Sequence, residues 1–251
     1  MSMDVRIDGF GTITEGEYDR IKIDGMGKIN GNIKCHMIDI DGTCNAEGSI
    51  TAEQMDVNGM LKVAKDIRVN KLDIDGMVKS ENGKVYADDI RVDGMLKNDG
   101  EVNADKVIIN GCAVLNDLFG DEVVINFASG ILGVFAFGFG KNWGKMNHAN
   151  TIECTTLRAS NIRANSISAT DIVLQGGCVV DYVHCNGTLR YDATCRIKKI
   201  EGDCIQKYVN TFHAKESYCL VKQRILFFFI GCLKKSFIGI KDFILSISKL
   251  W

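Results

Sequence analysis

The chain lacks three features that would point to common classes of protein. It contains no proline in 251 residues, so it has no proline-rich flank. Lysine and arginine number 30 against 32 aspartates and glutamates, and this net charge of −2 is not the basic surplus expected of a general nucleic-acid binder. The first residues form no basic and then apolar signal peptide. We therefore expect a cytoplasmic protein that binds no nucleic acid.

Motifs for metal, nucleotide or catalytic chemistry are also missing. None of the ten cysteines forms a Cys-x-x-Cys pair or a zinc-ligand spacing, so we expect reduced, buried thiols and no bound metal. No glycine-rich phosphate loop follows a predicted strand, so we expect neither a nucleotide nor another cofactor. The pair His184-Cys185 has no recognisable orienting group or oxyanion site. We predict that the protein is not an enzyme.

The sequence does contain a repeat. Isoleucine or valine, then aspartate or asparagine, then glycine returns seven times in residues 1–111, and successive glycines are 16 to 18 residues apart. A period this regular is typical of a solenoid, in which each turn buries its apolar face by stacking on its neighbours. The repeats are Ile7-Asp8-Gly9, Ile23-Asp24-Gly25, Ile40-Asp41-Gly42, Val57-Asn58-Gly59, Ile74-Asp75-Gly76, Val92-Asp93-Gly94 and Ile109-Asn110-Gly111.

Within each repeat, apolar and polar residues alternate, as they do in a strand with one buried face. Seventeen residues are too few for a strand–helix pair, so the chain must coil as short parallel strands stacked about 4.8 Å apart. The pattern predicts an all-β fold, a β-helix over residues 1–126. Its inner columns include the series Ile38, Met55, Leu72, Ile90 and Val107.

The repeat leaves two questions open about its corners. The Asp-Gly pairs fit turn chemistry, because glycine tolerates a positive φ and aspartate bonds nearby backbone. A cation-binding ladder of stacked aspartates is the alternative, although the dense glycine pattern of calcium solenoids is absent. After each corner comes a second apolar stripe, which we expect to fill the core, with a partner-binding face as the alternative. It consists of Met26, Met60, Met77 and Met95.

The rest of the chain divides into three segments. Residues 127–149 form a connector rich in glycine and phenylalanine, interpreted as an apolar hairpin over the junction or as an exposed patch. Residues 150–206 resume the apolar pattern every five residues and predict a second β-helix lobe with short faces, stacked on or in tandem with the first. Residues 207–251 form an apolar and basic tail. The five-residue series is Leu157, Ile162, Ile167 and Ile172.

The tail has two interpretations that the sequence does not separate. Its apolar run, 225–233, is too short to span a bilayer, and residues 220–251 carry a local charge of +5. This profile predicts an amphipathic helix on the anionic inner membrane surface. A frameshifted or read-through end would have the same composition, so a non-native extension is the alternative. The membrane-contact candidates are Phe227, Phe228, Phe229, Phe237, Ile240, Ile244 and Trp251.

Several of these stretches resemble the bactofilins. The tandem Ile-Asp-Gly units, residues 118–125, residues 150–157 and residues 172–197 are most similar to two-lobed bacterial relatives known as polymer-forming cytoskeletal proteins. The resemblance covers residues 3–200, and its motifs are structural. It implies a right-handed parallel β-helix, nucleotide-independent self-assembly through the coil ends, and a cytoskeletal or envelope-scaffolding role. Two lobes and the missing proline-rich flanks depart from the family pattern.

The expected function is therefore a non-enzymatic scaffold that assembles with itself end to end. A terminal turn of a solenoid presents unpaired backbone groups and apolar columns, and stacking on another copy satisfies both. A charged residue at one of the outermost apolar positions is expected to dissolve the polymer and leave the fold intact. The alternative is a monomeric or dimeric adaptor that binds a protein partner or a membrane surface. The interface candidates are Val5, Ile7, Ile21 and Ile23.

Overall fold

The computed structural model describes residues 3–126 and 147–209. In these ranges the chain forms a parallel β-solenoid of about 11 turns with about 17 residues per turn, which confirms the predicted fold class. The described residues form strands and no helix. The strands are β1 (Val5–Ile7), β2 (Phe10–Glu17), β3 (Arg20–Ile23), β4 (Met26–Ile40), β5 (Thr43–Ala46), β6 (Ile50–Val57), β7 (Met60–Val63), β8 (Ile67–Ile74), β9 (Met77–Ser80), β10 (Val85–Val92), β11 (Met95–Ile109), β12 (Cys112–Ile125), β13 (Asn147–Ser160), β14 (Ile162–Gln175), β15 (Val179–Asp192), β16 (Arg196–Glu201) and β17 (Ile205–Val209).

A single turn, residues 58–74, shows how the sequence makes a coil. Strand β7 alternates exposed and buried residues, and a short corner then leads into β8. Inside β8 the alternation breaks at two consecutive exposed residues, Asn70 and Lys71, which form a further corner. Three short faces therefore enclose the core of each turn. Six side chains point inward, and all are at least 94% buried: Leu61, Val63, Ile67, Val69, Leu72 and Ile74.

Stacking turns this pattern into continuous inner columns. Each inward residue lies beside the equivalent residue of the next turn, so apolar side chains contact one another along the solenoid. This arrangement buries the β-branched residues that suit a pleated surface. One column runs through Val5, Ile21, Ile38, Met55, Leu72, Ile90, Val107, Val123, Leu157, Ile172 and Leu189.

The second series of turns stacks directly on the first. Strand β12 pairs with β13 in register, and Val123 lies beside Leu157. Between β13 and β14 the register step is 15 residues, since Asn147 pairs with Ile162. Three five-residue faces make one such turn, which explains the five-residue apolar spacing. Strand β13 begins three residues before the predicted start of this lobe at residue 150, and β17 continues to Val209.

One inner column changes from apolar to polar in the middle of the solenoid. Ser80 and Asn98 lie side by side in register, and both side chains are buried. The Asn98 amide donates to the carbonyl of Gly83 at 2.9 Å, but the Ser80 hydroxyl has no hydrogen-bond partner among the described residues. An unpaired buried hydroxyl costs about 1–3 kcal/mol, so this layer is less stable than an apolar one.

Candidate functional site

The two end turns are the first candidate surface. At the N-terminal end, β1 pairs with β3 and β2 pairs with β4. At the other end, β16 and β17 both pair with β15. Within residues 3–126 and 147–209, each of these four strands has a paired neighbour on one side only. Each end therefore presents a row of backbone N–H and C=O groups that can pair with another chain.

The four predicted interface residues lie in two layers rather than one. Val5 and Ile7 belong to the first turn, and Val5 is partly exposed. Ile21 and Ile23 lie directly beneath them, paired in register, and both are fully buried. A charge at either of these two positions would therefore enter the core, whereas a charge at Val5 would meet the end surface.

The corner glycines have a different cause from the positive φ expected from the sequence. None of the seven has a positive φ. A Cβ added to Gly59 would instead lie 1.8 Å from the carbonyl oxygen of Gly42 in the turn below. The same carbonyl accepts a hydrogen bond from Met60 N–H at 2.8 Å. The corner needs glycine because two backbones stack there too closely for any side chain. Equivalent Cβ positions at Gly25, Gly42, Gly76, Gly94 and Gly111 lie 1.9–2.0 Å from a glycine carbonyl.

Gly9 is the exception in this series. It occupies the corner of the first turn, and no described atom lies within 4 Å of the position that its Cβ would take. At the six later corners of the series, that space holds the carbonyl of a neighbouring corner glycine. The first turn therefore keeps the space that a stacked backbone requires, although no described part of the chain fills it.

A second candidate surface is the acidic face on the outside of the solenoid. Asp39, Asp56 and Asp73 occupy one outward column in successive turns, with Lys22 before them and Arg91 after them. The neighbouring corner column adds further carboxylates. Together they line an open depression of about 640 Å³, whose acidic residues are Asp39, Asp41, Asp56, Asp73, Asp75, Asp89 and Asp93.

A lysine and two asparagine side chains contact carboxylates of the corner column. The Lys22 ammonium lies 2.9 Å from Asp41 and 3.3 Å from Asp24. The Asn58 amide donates to Asp41 at 2.9 Å, and the Asn110 amide donates to Asp93 at 2.7 Å. Among the described residues, no group of three or more histidines, cysteines or carboxylates has a geometry that could hold a metal ion. Pairing within the chain thus accounts for the carboxylates of Asp24, Asp41 and Asp93.

The acidic face predicts a pH effect with opposite signs at two positions. Burial and the Asp73 carboxylate raise the pKa of Asp56, although the Gln54 amide donates to it at 3.0 Å. The protonated form of Asp56 is therefore favoured in the folded chain. Protonated Asp56 stabilises the fold. This stabilisation is fully present below the unfolded pKa of about 3.9 and is lost as the pH rises through the raised folded pKa. We expect Asp56→Asn to raise the urea midpoint at pH 7 and to have little effect below about pH 3.5.

Asp41→Asn is the matched control for this prediction. Hydrogen bonds from Lys22 and then Asn58 lower the pKa of Asp41, so its carboxylate stabilises the fold above the unfolded pKa. The Asp41 substitution should lower the urea midpoint at pH 7, and that loss should shrink as the pH falls through the lowered pKa. If Asp41→Asn and Asp56→Asn shift the urea midpoint at pH 7 in the same direction, the opposite pKa shifts described for these two residues are wrong.

The methionine stripe lies outside the core, so the prediction that it fills the core is wrong. Met26 and Met60 are about half exposed. The inward residue is the next one along the chain, as Leu61 shows. Phe10, at 88% exposure, extends the stripe into the first turn. The outward ladder, called the Phe–Met ladder below, consists of Phe10, Met26, Thr43, Met60, Met77, Met95 and Cys112.

The histidine and cysteine side chains show no activated nucleophile at the pair singled out from the sequence. Cys185 is fully buried, and burial raises the pKa of its thiol, the reverse of the shift that an attacking cysteine needs. Its thiol donates to the carbonyl of Thr170 at 3.3 Å. Elsewhere His36 contacts Asp19 at 2.7 Å on the surface.

Two of the sequence segments lie outside the described residues. They are positions 127–146 of the connector and 210–251 of the tail, and the seven predicted membrane-contact residues fall in the latter. In the part of the chain that is described, no helix is long and apolar enough to cross a membrane. Comparison of the chain with models of protein families, with curated proteins and with solved structures found no match in any of the three.

Proposed function

We propose that this protein is a non-enzymatic structural scaffold that assembles with itself end to end through the terminal turns of its β-solenoid, as the bactofilins that it resembles do. The space kept beside Gly9 is the observation that carries this proposal. At every other Ile-Asp-Gly corner, the absent side chain makes room for the carbonyl of a neighbouring turn. A glycine in the first turn makes the same room for the backbone of a second copy.

The chemistry of the end turns supports the same interaction. Unpaired strand edges can continue a parallel or an antiparallel ladder, and Val5 adds a partly exposed apolar side chain to the end surface. The assembly needs no nucleotide in this scheme, because backbone hydrogen bonds and apolar burial supply the free energy. We further propose a cytoplasmic location. Contact of the tail with the inner membrane surface stays a prediction about residues outside the described ranges.

The test is a single substitution that separates folding from assembly. Full-length wild-type protein is expected to form filaments or sheets in negative stain and to sediment rapidly. Gly9→Ala should abolish both signals and leave the circular dichroism spectrum unchanged, since the new Cβ meets no described atom within 4 Å. Gly16→Ala is the matched control in the same turn. Its Cβ would make ordinary contacts with Tyr18 at 3.6–3.7 Å, so assembly should persist.

Two results would overturn the proposal. If the wild-type protein forms only small discrete particles at every concentration, the proposed scaffold function is wrong. If filaments survive Gly9→Ala, the first turn is not an assembly surface.

A second candidate function is a monomeric or dimeric adaptor, and the Phe–Met ladder favours it. Phe10 and Met26 are among the most exposed large apolar side chains described, and methionine adapts to varied partners. Lys28 and Lys62 lie two residues beyond Met26 and Met60 on the same outer face, but Glu47 and Glu81 pair with them. Discrete particles of constant size, in both wild type and Gly9→Ala, would place the adaptor first.

A further inference from the structure

The last two turns of the solenoid contain an unusual arrangement of thiols. Among the described residues, eight cysteines are free, and four of them lie between residues 178 and 204. Cys178 and Cys195 are 17 residues apart, which is one full turn. Cys185 and Cys204 contact each other at another corner of the same two turns. The cysteines of the last turn therefore each lie against a cysteine of the turn before it.

The backbone register places Cys178 and Cys195 directly one above the other. The residues that follow them, Val179 and Arg196, are partners in the β15–β16 ladder. Arg196 N–H donates to the carbonyl of Cys178 at 2.8 Å. Neighbouring parallel strands lie about 4.8 Å apart, inside the range of Cα separations, about 4.4–6.8 Å, that a disulfide spans. Both cysteines follow a turn and precede a strand, so their corners face the same way.

The two side chains differ in access and in acidity. The two side chains interact, and this contact lowers the pKa of Cys178 and raises that of Cys195. Cys178 is fully buried, whereas Cys195 is partly exposed. The Cys195 thiol donates to a carboxylate oxygen of the buried Asp192 at 3.3 Å, and this oxygen accepts a second bond from Thr194 N–H. The accessible thiol is held protonated beside a more acidic, protected one.

We propose that Cys178 and Cys195 form a reversible dithiol–disulfide pair that joins the last turn to the preceding one when the protein meets a peroxide. When the last turn opens, the Cys178 thiolate attacks the peroxide, the O–O bond breaks, and a sulfenic acid and one water form. The Cys195 sulfur then displaces the hydroxyl group, which leaves as a second water with the Cys195 proton, and the S–S bond forms. The two thiols lose two protons and two electrons, and hydrogen peroxide gains them.

The Cys178–Cys195 disulfide would restrain the last turn, which has a neighbouring turn on one side only. Strands β16 and β17 pair with β15 and, within the described ranges, with no other strand. End turns of a stack open more easily than inner ones, because they lack the second neighbour. A disulfide between Cys178 and Cys195 closes a loop of one turn and restricts this opening. The pair thus provides an oxidant-dependent control over the order of the C-terminal end.

The experiment is a crosslink map of the full-length protein. Reduced protein is treated with hydrogen peroxide, its remaining thiols are alkylated, and tryptic peptides are identified by mass spectrometry. The expected product joins residues 164–190 to residues 191–196, and the latter peptide contains Cys195 as its only cysteine. Fragmentation distinguishes Cys178 from Cys185 in the longer peptide. Amide exchange in residues 196–209 should slow at least about tenfold on oxidation and recover on reduction.

Variants keep the test specific. Cys178→Ser should abolish this crosslink, whereas Cys44→Ser should retain it, because Cys44 is buried between Gly27 and Leu61 without a neighbouring thiol. Oxidation of Cys178 or Cys195 to sulfinic or sulfonic acid in place of the crosslink would overturn the proposal. So would a disulfide between two copies of the chain, or a crosslinked wild type whose amide exchange is unchanged.

Discussion

Alanine in place of Gly59 is expected to disrupt the middle of the solenoid, with a loss of at least about 3 kcal/mol in the free energy of unfolding. The added Cβ would lie 1.8 Å from the carbonyl oxygen of Gly42 and 2.6 Å from that of Asp41. Neither atom can rotate away, because both belong to the backbone of a hydrogen-bonded corner. Urea unfolding followed by circular dichroism measures the loss, and amide exchange locates it.

Gly9→Ala provides the control at an equivalent corner of the same repeat. Its Cβ meets no described atom within 4 Å, so the free energy of unfolding should change by less than about 0.5 kcal/mol in dilute, unassembled protein. Equal losses at Gly9 and Gly59 would show that glycine is needed for its own backbone conformation rather than for close stacking.

The second large effect is expected from Ile23→Asp. Ile23 is fully buried between Ile7 and Ile40 in consecutive turns, so the new carboxylate would enter the core without a partner. An uncompensated buried charge costs about 3–5 kcal/mol, in addition to the lost apolar contacts. Amide exchange should show that the N-terminal turns open, and any assembly at that end should disappear together with the local fold.

Val5→Asp is the matched substitution one layer outward. Val5 is partly exposed and has Ile21 on one side only, so the loss of folding stability should be about 1 kcal/mol. If end-to-end stacking occurs, this variant should assemble poorly while its exchange pattern stays close to that of the wild type. A larger folding defect at Val5 than at Ile23 would reverse the order of layers described above.

The repeat allowed much of the fold to be predicted, because one turn contains nearly all the information that the stack repeats. The columns through Leu72 and Ile74 follow from alternation of apolar and polar residues at a fixed period. The shorter turn that begins at Asn147 was also indicated by the spacing of Leu157 and Ile162. These features depend on local patterns, and the register then follows from stacking like on like.

The direction of the methionines could not be predicted in the same way. Met60 and Leu61 are adjacent and both apolar, so their order alone does not say which one faces the core. The structure assigns Leu61 to the interior, because Val63 two residues later is inward as well. Alternation counted backward from Val63 places Leu61 inward and Met60 outward. The repeated methionines suggested the opposite, because a repeated apolar residue is typical of a core position.

The reason why the corners require glycine could not be predicted from the sequence either. A glycine in a turn usually indicates a positive φ, which is a property of one residue. Here the requirement comes from the turn below, through the carbonyl of Gly42 beneath Gly59. Contacts between turns depend on the backbone spacing, and a single repeat does not contain that distance. The space beside Gly9 is visible only after the later corners have been compared with it.

Turns of different length stack in the same register, and this affects how insertions, losses and duplications alter the protein. The corner after Ser80 contains one residue more than the corner after Val63, and Asn82 takes a positive φ there, yet Val85 still stacks on Ile67. Twenty residues lie between Asn126 and Asn147 in sequence, and β12 and β13 nevertheless pair in register. Additions at corners therefore leave the faces untouched. Loss or duplication of a whole turn would change the length of the solenoid in steps of about 4.8 Å. Gene rearrangement can therefore change this length in units of one turn.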